Sequence, residues 1–239
     1  MSSDRTVERV KLDILVFAAH PDDAEIGMGG TIIKHSRDGM RIGIIDLTYA
    51  ELSSNGDVDT RQQEAALASD RLGLSVRGNL GLPDRGLSIV PDQIDRVMEA
   101  IRYYQPRLVF APYSVDRHPD HIACSRIVQE AVFNAKLRRY QPETEAWTVD
   151  QLLFYMINDF HTPQMLVDIS DVLEQKMDAL KAYRSQFMPD KLLADWVDTP
   201  LTGAYLDAVV ARDQLFGATR RLAYAEGFIA AGPIVMNRL

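Results

Sequence analysis

Apolar and polar positions follow two rhythms along this chain, and together they predict most of its elements. Residues 11–19 ("KLDILVFAA") form a short apolar run rich in β-formers, the pattern of a strand buried on both faces. A helical spacing runs from 24 to 38 and ends at Gly39. Residues 41–48 predict a second strand, 60–72 an amphipathic helix, 75–82 a short third strand and 92–104 another helix. "RLVFAP" (107–112) is a fourth buried strand closed by Pro112, and a helix is expected over 120–137. Between these lie loops: "ELSSNGDV", "LPDRGLSIVPD" and "YSVDRHPDH". Further on, "QLLFYMIN" and "QMLVDIS" predict two more strands, and 171–186 and 203–218 two helices. The stretch "SQFMPDKLLADWVDTPLT" has no period and is expected to be a long excursion.

Strands that alternate with helices imply a parallel sheet joined by right-handed crossovers. The expected fold is therefore α/β: a Rossmann-like, doubly wound, mostly parallel sheet with helices on both faces and an irregular C-terminal extension. No linker interrupts the pattern, so residues 1–239 are expected to be one domain.

Composition changes the picture mainly by exclusion. Of 239 residues, 46% are hydrophobic, enough for a sizeable core. A net charge of −8 argues against nucleic acid or an anionic membrane as the main partner, though not against a small anionic substrate. The first apolar run is too short for a signal core or a membrane span, and the lone Cys124 rules out an internal disulfide. Both point to a cytoplasmic protein.

The chemistry enters through topology. In a doubly wound sheet, ligands bind outside the carboxyl ends of the strands, where the strand order reverses. With the order 3-2-1-4-5, the first strand, ending in "AHPDD", and the fourth, leading into "RHPDH", are neighbours. His20, Asp22, Asp23, His118, Asp120 and His121 then surround one crevice. Two imidazoles and a carboxylate make a catalytic zinc set with a fourth position for water, whose pKa falls to about 7. A carboxylate that is not a ligand can take that water's proton. Helix capping by one aspartate is the competing explanation, but it accounts for neither histidine pair. His35 and His161 read as structural or surface residues, and Cys124 as a packed thiol. "GMGG" (27–30) lacks the phosphate-binding spacing, because acids stand where a pyrophosphate would lie; its glycines are expected to let the helix approach the sheet.

The segments "AHPDDAEIGMGGTI", "DLTYAELSSNGDVDTR", "NLGLPDRGL", "LVFAPYSVDRHPDH" and "LAYAEGF" resemble the LmbE-like (PIG-L) zinc N-deacetylases along nearly the whole chain. Among its branches the chain is most similar to the one that deacetylates N-acetylglucosaminyl-malate in bacillithiol biosynthesis. Others act on N-acetylglucosaminyl-inositol, N-acetylglucosaminyl-phosphatidylinositol or chitooligosaccharides. The resemblance implies one Zn2+ per chain held by His20, Asp23 and His121, with Asp22 as general base and His118, steered by Asp120, assisting the tetrahedral intermediate. It implies substrate contacts from Arg61, Asp84, Arg85 and Tyr205, and a homo-oligomer, a hexamer in related members. Arg61 and Arg85 are the expected readers of a malate carboxylate. Fe2+ suits a two-histidine, one-carboxylate site as well as zinc does. A metal-dependent phosphoesterase and a non-catalytic sugar-binding zinc protein stay open, as does the choice of Asp22 or His118 as proton donor to the leaving amine.

Overall fold

The computed structural model describes residues 10–188 and 196–234. These build a seven-stranded sheet in the order β3-β2-β1-β4-β5-β7-β6. The first four strands are β1 (Ile14–Ala18), β2 (Ile42–Thr48), β3 (Val76–Leu82) and β4 (Leu108–Pro112), linked by α1 (Asp23–Arg37), α2 (Val58–Leu72) and α3 (Pro91–Tyr104). After α4 (Pro119–Ala135), β5 (Gln151–Tyr155) pairs parallel to β4. The winding order reverses at β1, which pairs parallel with β2 on one side and β4 on the other, as the sequence predicts.

Alternation along β1 shows how the layers form. Ile14, Val16 and Ala18 enter a core shared with α1, α2 and α5 (Leu173–Leu180), whereas Leu15, Phe17 and Ala19 enter one shared with α3 and α4. Burial on both faces explains why the strand is a continuous apolar run. No helix among the described residues is long and apolar enough to cross a membrane.

The C-terminal part adds one strand that the pattern does not predict: β7 (Ala225–Ala230) inserts antiparallel between β5 and β6 (Met165–Asp168). The pattern concealed it because Glu226 and Gly227 interrupt the apolar run. The helix expected over 171–186 is split into α5 and α6 (Arg184–Phe187), where Tyr183 turns inward and donates its hydroxyl to Glu25 Oε1 at 2.8 Å. Helix α7 (Tyr205–Ala218) matches its expected range within two residues. Most of the excursion's centre, 189–195, lies outside the described residues.

Helix α1 breaks at Met28, whose φ of −150° is not helical. The second half thereby gains a fresh amino end, and Glu226 accepts from the N–H groups of Gly30 and Thr31 at 2.9 and 2.7 Å. Gly27 permits this packing: a Cβ there would lie 2.2 Å from the ring of Tyr155. The glycines of "GMGG" thus serve helix–sheet approach, as expected.

Candidate active site

The turn after β1 separates the two adjacent aspartates. Asp22 adopts φ 121° and ψ −25°, a conformation costing about 1–3 kcal/mol for a residue other than glycine. That twist sends Asp22 towards α2, where its Oδ2 accepts from Arg61 Nη2 at 2.8 Å. Asp23, the first residue of α1, faces the histidines instead. One of its oxygens lies 3.1 Å from His121 Nε2 and the other 3.5 Å from His20 Nδ1.

Two histidines enter from the far side of the reversal point. His118 caps α4, with Pro119 beginning the helix, and its Nδ1 accepts from the Asp120 N–H at 3.2 Å. In the neutral ring this leaves the proton on Nε2. His121, one turn in, places Nδ1 3.0 Å from Asp116 Oδ1, which keeps a proton on Nδ1, so that in the neutral ring Nε2 is the lone-pair donor facing Asp23. His20 sets Nε2 3.2 Å from Asp84 Oδ1, leaving Nδ1 towards Asp23.

This donor set suits a metal ion. Two ligands held at about 2.05 Å in a tetrahedral shell are roughly 3.3 Å apart, close to the separations around Asp23. Five carboxylates gather here (Asp22, Asp23, Asp84, Asp116 and Asp120), and the guanidinium groups paired with them belong to Arg61 and Arg85 alone among the described residues. A divalent cation balances such a cluster. The donor atoms of His20, His118 and His121 also lie within 4.8 Å of one another. Ligation through His118 Nε2 would put a proton on Nδ1, against the Asp120 N–H, so the hydrogen bond favours Asp23 over His118 as the third ligand.

The electrostatics follow from burial and charge. Burial pushes the Asp22 carboxyl up to about 7, although Arg61 pulls the other way. Burial works in the same direction on Asp23, but His121 and His20 overcome it and hold that carboxyl well below the usual range. His121 is raised to about 9: burial opposes its charge, and Asp23 and Asp116 outweigh burial. His20 is raised as well, against burial, by Asp120, Asp23 and Asp84. Burial lowers His118, and the neighbouring imidazoles of His121 and His20 lower it further.

The expectation that Asp120 steers His118 is therefore corrected. Its carboxylate accepts from the Arg85 N–H at 2.7 Å and from Arg85 Nη1 at 3.2 Å, and lies 3.5 Å from His20 Nε2. Only its backbone N–H serves His118. The aspartate's charge does oppose the fall in His118, but more weakly than burial and the other imidazoles favour it.

A pocket of about 400 Å³ opens over these groups. Arg61, Asp84, Arg85 and Tyr205 all line it. Arg61 is only 4% exposed, and its Nε donates to the Pro21 carbonyl at 2.9 Å. Asp84 shares its carboxylate between His20 and the Leu52 N–H, and burial's upward push is overcome, holding it at about 2. The Tyr205 hydroxyl donates to Asn158 Oδ1 at 3.2 Å, and burial raises its pKa, keeping it neutral.

Asp116, Arg117 and Asn158 were missed in the sequence. Asn158 stands just past β5 at the carboxyl edge, the edge already known to hold the site, and that position was its signal. Asp116 and Arg117 immediately precede the histidine motif. Cys124 is fully buried, as expected of a packed thiol.

A pocket at the reversal of a parallel sheet, lined by imidazoles and carboxylates at ligand-like separations, fits a metal-dependent hydrolase. The chain belongs to the PIG-L family, whose model, described as GlcNAc-PI de-N-acetylase, matches residues 15–132. The crystal structure of the conserved protein TT1542 from Thermus thermophilus is 41% identical, covering 94% of this chain and 97% of that one, with a TM-score of 0.86. The diacetylchitobiose deacetylase of Thermococcus kodakarensis is 29% identical over 189 residues, 74% of this chain and 71% of the relative. A probable N-acetyl-alpha-D-glucosaminyl L-malate deacetylase 2 of Bacillus subtilis is 28% identical over 190 residues, 74% of this chain and 84% of the relative.

Proposed function

We propose that this N-deacetylase of N-acetylglucosamine-containing substrates uses one Zn2+ per chain and acts on N-acetylglucosaminyl-malate, the bacillithiol precursor. The observation that carries the reading is the divergence of adjacent aspartates: Asp23 turns to His20 and His121, Asp22 to Arg61. One carboxylate is thereby available to hold a metal and the other to hold a proton. The names of the Thermococcus and Bacillus relatives support the sugar and its conjugates.

His20, Asp23 and His121 would hold the metal, with Asp116 and Asp84 orienting the two imidazoles. When bound, it supplies the positive charge that acidifies a water and polarises the acetyl carbonyl. Asp22 takes the water's proton as the water oxygen joins the amide carbon, and Arg61 fixes the carboxylate for that transfer. The Nε2–H of His118 is a donor for the negative charge that develops on the carbonyl oxygen, and the neutral Tyr205 hydroxyl becomes a second donor when it turns from Asn158 Oδ1. The C–N bond then breaks, acetate leaves, and the amine nitrogen receives a proton from Asp22 or His118. A cytoplasmic homo-oligomer, a hexamer by family resemblance, belongs to the same reading and is tested by sedimentation velocity.

One observation favours a second reading. His20, Asp84 and Asp120 also bring donor atoms within 4.8 Å, the kind of second cluster a two-metal phosphoesterase needs. Arg85 already occupies Asp120, which argues against it. Metal analysis together with release of free amine from N-acetylglucosaminyl-malate, N-acetylglucosaminyl-inositol and N,N'-diacetylchitobiose decides the matter. One metal per chain and amine release, fastest from the malate conjugate, is expected. Two metals per chain and no amine from any substrate would overturn the proposal.

A further inference from the structure

Three guanidinium groups line the pocket, and they differ in what answers their charge. Arg61 is buried and paired with Asp22. Arg85 is exposed, but Asp120 takes both its backbone N–H and its Nη1. Arg117 is exposed, and its one hydrogen-bond partner among the described residues is Asn158 Oδ1, a neutral amide, at 3.0 Å. An amide acceptor fixes the guanidinium without cancelling its charge. Arg117 is thus the pocket cation left with a charge to spend on something that enters.

Asn158 gives that cation a defined place. Its Oδ1 also accepts from the Tyr205 hydroxyl, and its Nδ2 donates to Asp116 Oδ1 at 3.0 Å. The backbone N–H of Asn158 reaches the other Asp116 oxygen at 3.1 Å, and Nδ2 lies 3.5 Å from His121 Nδ1. One amide therefore spans from the imidazole of the metal site to the guanidinium at the rim. Arg117 lines the same pocket as His20, Asp23 and His121, so a substrate with its acetamide at those three residues can bring its aglycone within reach of Arg117.

We propose that Arg117, positioned by Asn158, reads the charge of the aglycone and selects glucosamine conjugates that carry a carboxylate. The inference rests on the deacetylase reading and assigns to Arg117 the part expected of Arg61 and Arg85. A planar fork holds a carboxylate through two parallel hydrogen bonds, a geometry that lysine lacks. Asn158 is a positioning residue: it touches Arg117 and Tyr205 and acts through them.

The test is the ratio of kcat/KM for N-acetylglucosaminyl-malate to that for N,N'-diacetylchitobiose, measured for Arg117→Gln, Arg117→Lys, Arg85→Gln and Asn158→Ala on metal-loaded protein. Arg117→Gln should lower the ratio at least tenfold, about 1.4 kcal/mol, mainly through KM for the malate conjugate. Arg117→Lys should recover part of the loss. Arg85→Gln should move the ratio less than threefold, and Asn158→Ala should lower it in the same sense as Arg117→Gln. Arg117 is exposed, so its substitutions leave folding intact. The proposal is overturned if both Arg117 variants hold the ratio within twofold of wild type, or if Arg85→Gln lowers it more. Wild-type protein that releases amine from neither substrate would instead overturn the deacetylase reading itself.

Discussion

Two buried charged clusters in this molecule look alike in composition and differ in completeness. In the first, Lys176 Nζ lies 2.6 Å from Asp213 Oδ2 and 2.7 Å from Glu226 Oε1, with all three side chains fully buried. Arg212 takes the other Asp213 oxygen, and the broken end of α1 takes both oxygens of Glu226. Two cations meet two anions, and each carboxylate oxygen has a donor. In the second, around Asp23, carboxylates outnumber their guanidinium partners and imidazoles face one another, the rings of His118 and His121 stacked at 4.7 Å. The first cluster is closed and joins β7, α5 and α7 to α1. The second is balanced only when a cation enters. Buried charge alone therefore does not mark a site; unanswered charge beside a pocket does.

The largest effect separating the two clusters is on stability. Removing Lys176 leaves buried Glu226 with backbone N–H donors but no cation, and Asp213 with Arg212 alone, so Lys176→Ala should cost about 3–5 kcal/mol in urea unfolding, with metal per folded chain unchanged. A loss under 1 kcal/mol would mean the cluster is not the clasp described. His118→Ala should lower turnover by about a hundredfold or more while the metal stays; stoichiometric metal loss would make His118 a ligand. Asp116→Asn should weaken metal binding by about 10–100-fold, the range for partners of a ligating imidazole, and competition with a chromogenic chelator measures it.

The smallest effect is a pH dependence. In the metal-free chain His20 and His121 are raised above the ordinary 6.5, His121 to about 9. Their ion pairs stabilise the fold fully below about 6.5 and are lost as pH rises through 9. Chelated protein should therefore lose thermal stability from pH 7 to pH 9. Metal affinity should rise over the same interval, because binding displaces those protons. A chelated protein whose Tm is flat across this range would break the link between the imidazoles and Asp23.

Much of this was legible in the chain. Runs such as "DILVFAA" and "RLVFAP" are buried on both faces, so their pattern stands out, and their order brings the two histidine motifs together. The closed cluster was not legible. Glu226 interrupts a strand, Lys176 and Asp213 sit on helices 37 residues apart, and nothing local says that they meet. The division between Asp22 and Asp23 was expected from their adjacency, but the positive φ of Asp22 and the grip of Arg61 depend on how α2 packs. Asp116 and Asn158 carry no signal in the sequence pattern because each only supports an imidazole or a guanidinium, and such partners have no periodicity.

The central claim is that adjacent aspartates divide the work, Asp23 holding the metal and Asp22 the proton. Metal content and amine release, measured side by side on Asp22→Asn and Asp23→Asn, test it most directly. The account predicts that Asp22→Asn retains metal at the wild-type level and loses turnover by about a hundredfold or more, whereas Asp23→Asn loses the metal itself. Equal metal loss in both variants, or full turnover in metal-loaded Asp22→Asn, would contradict it.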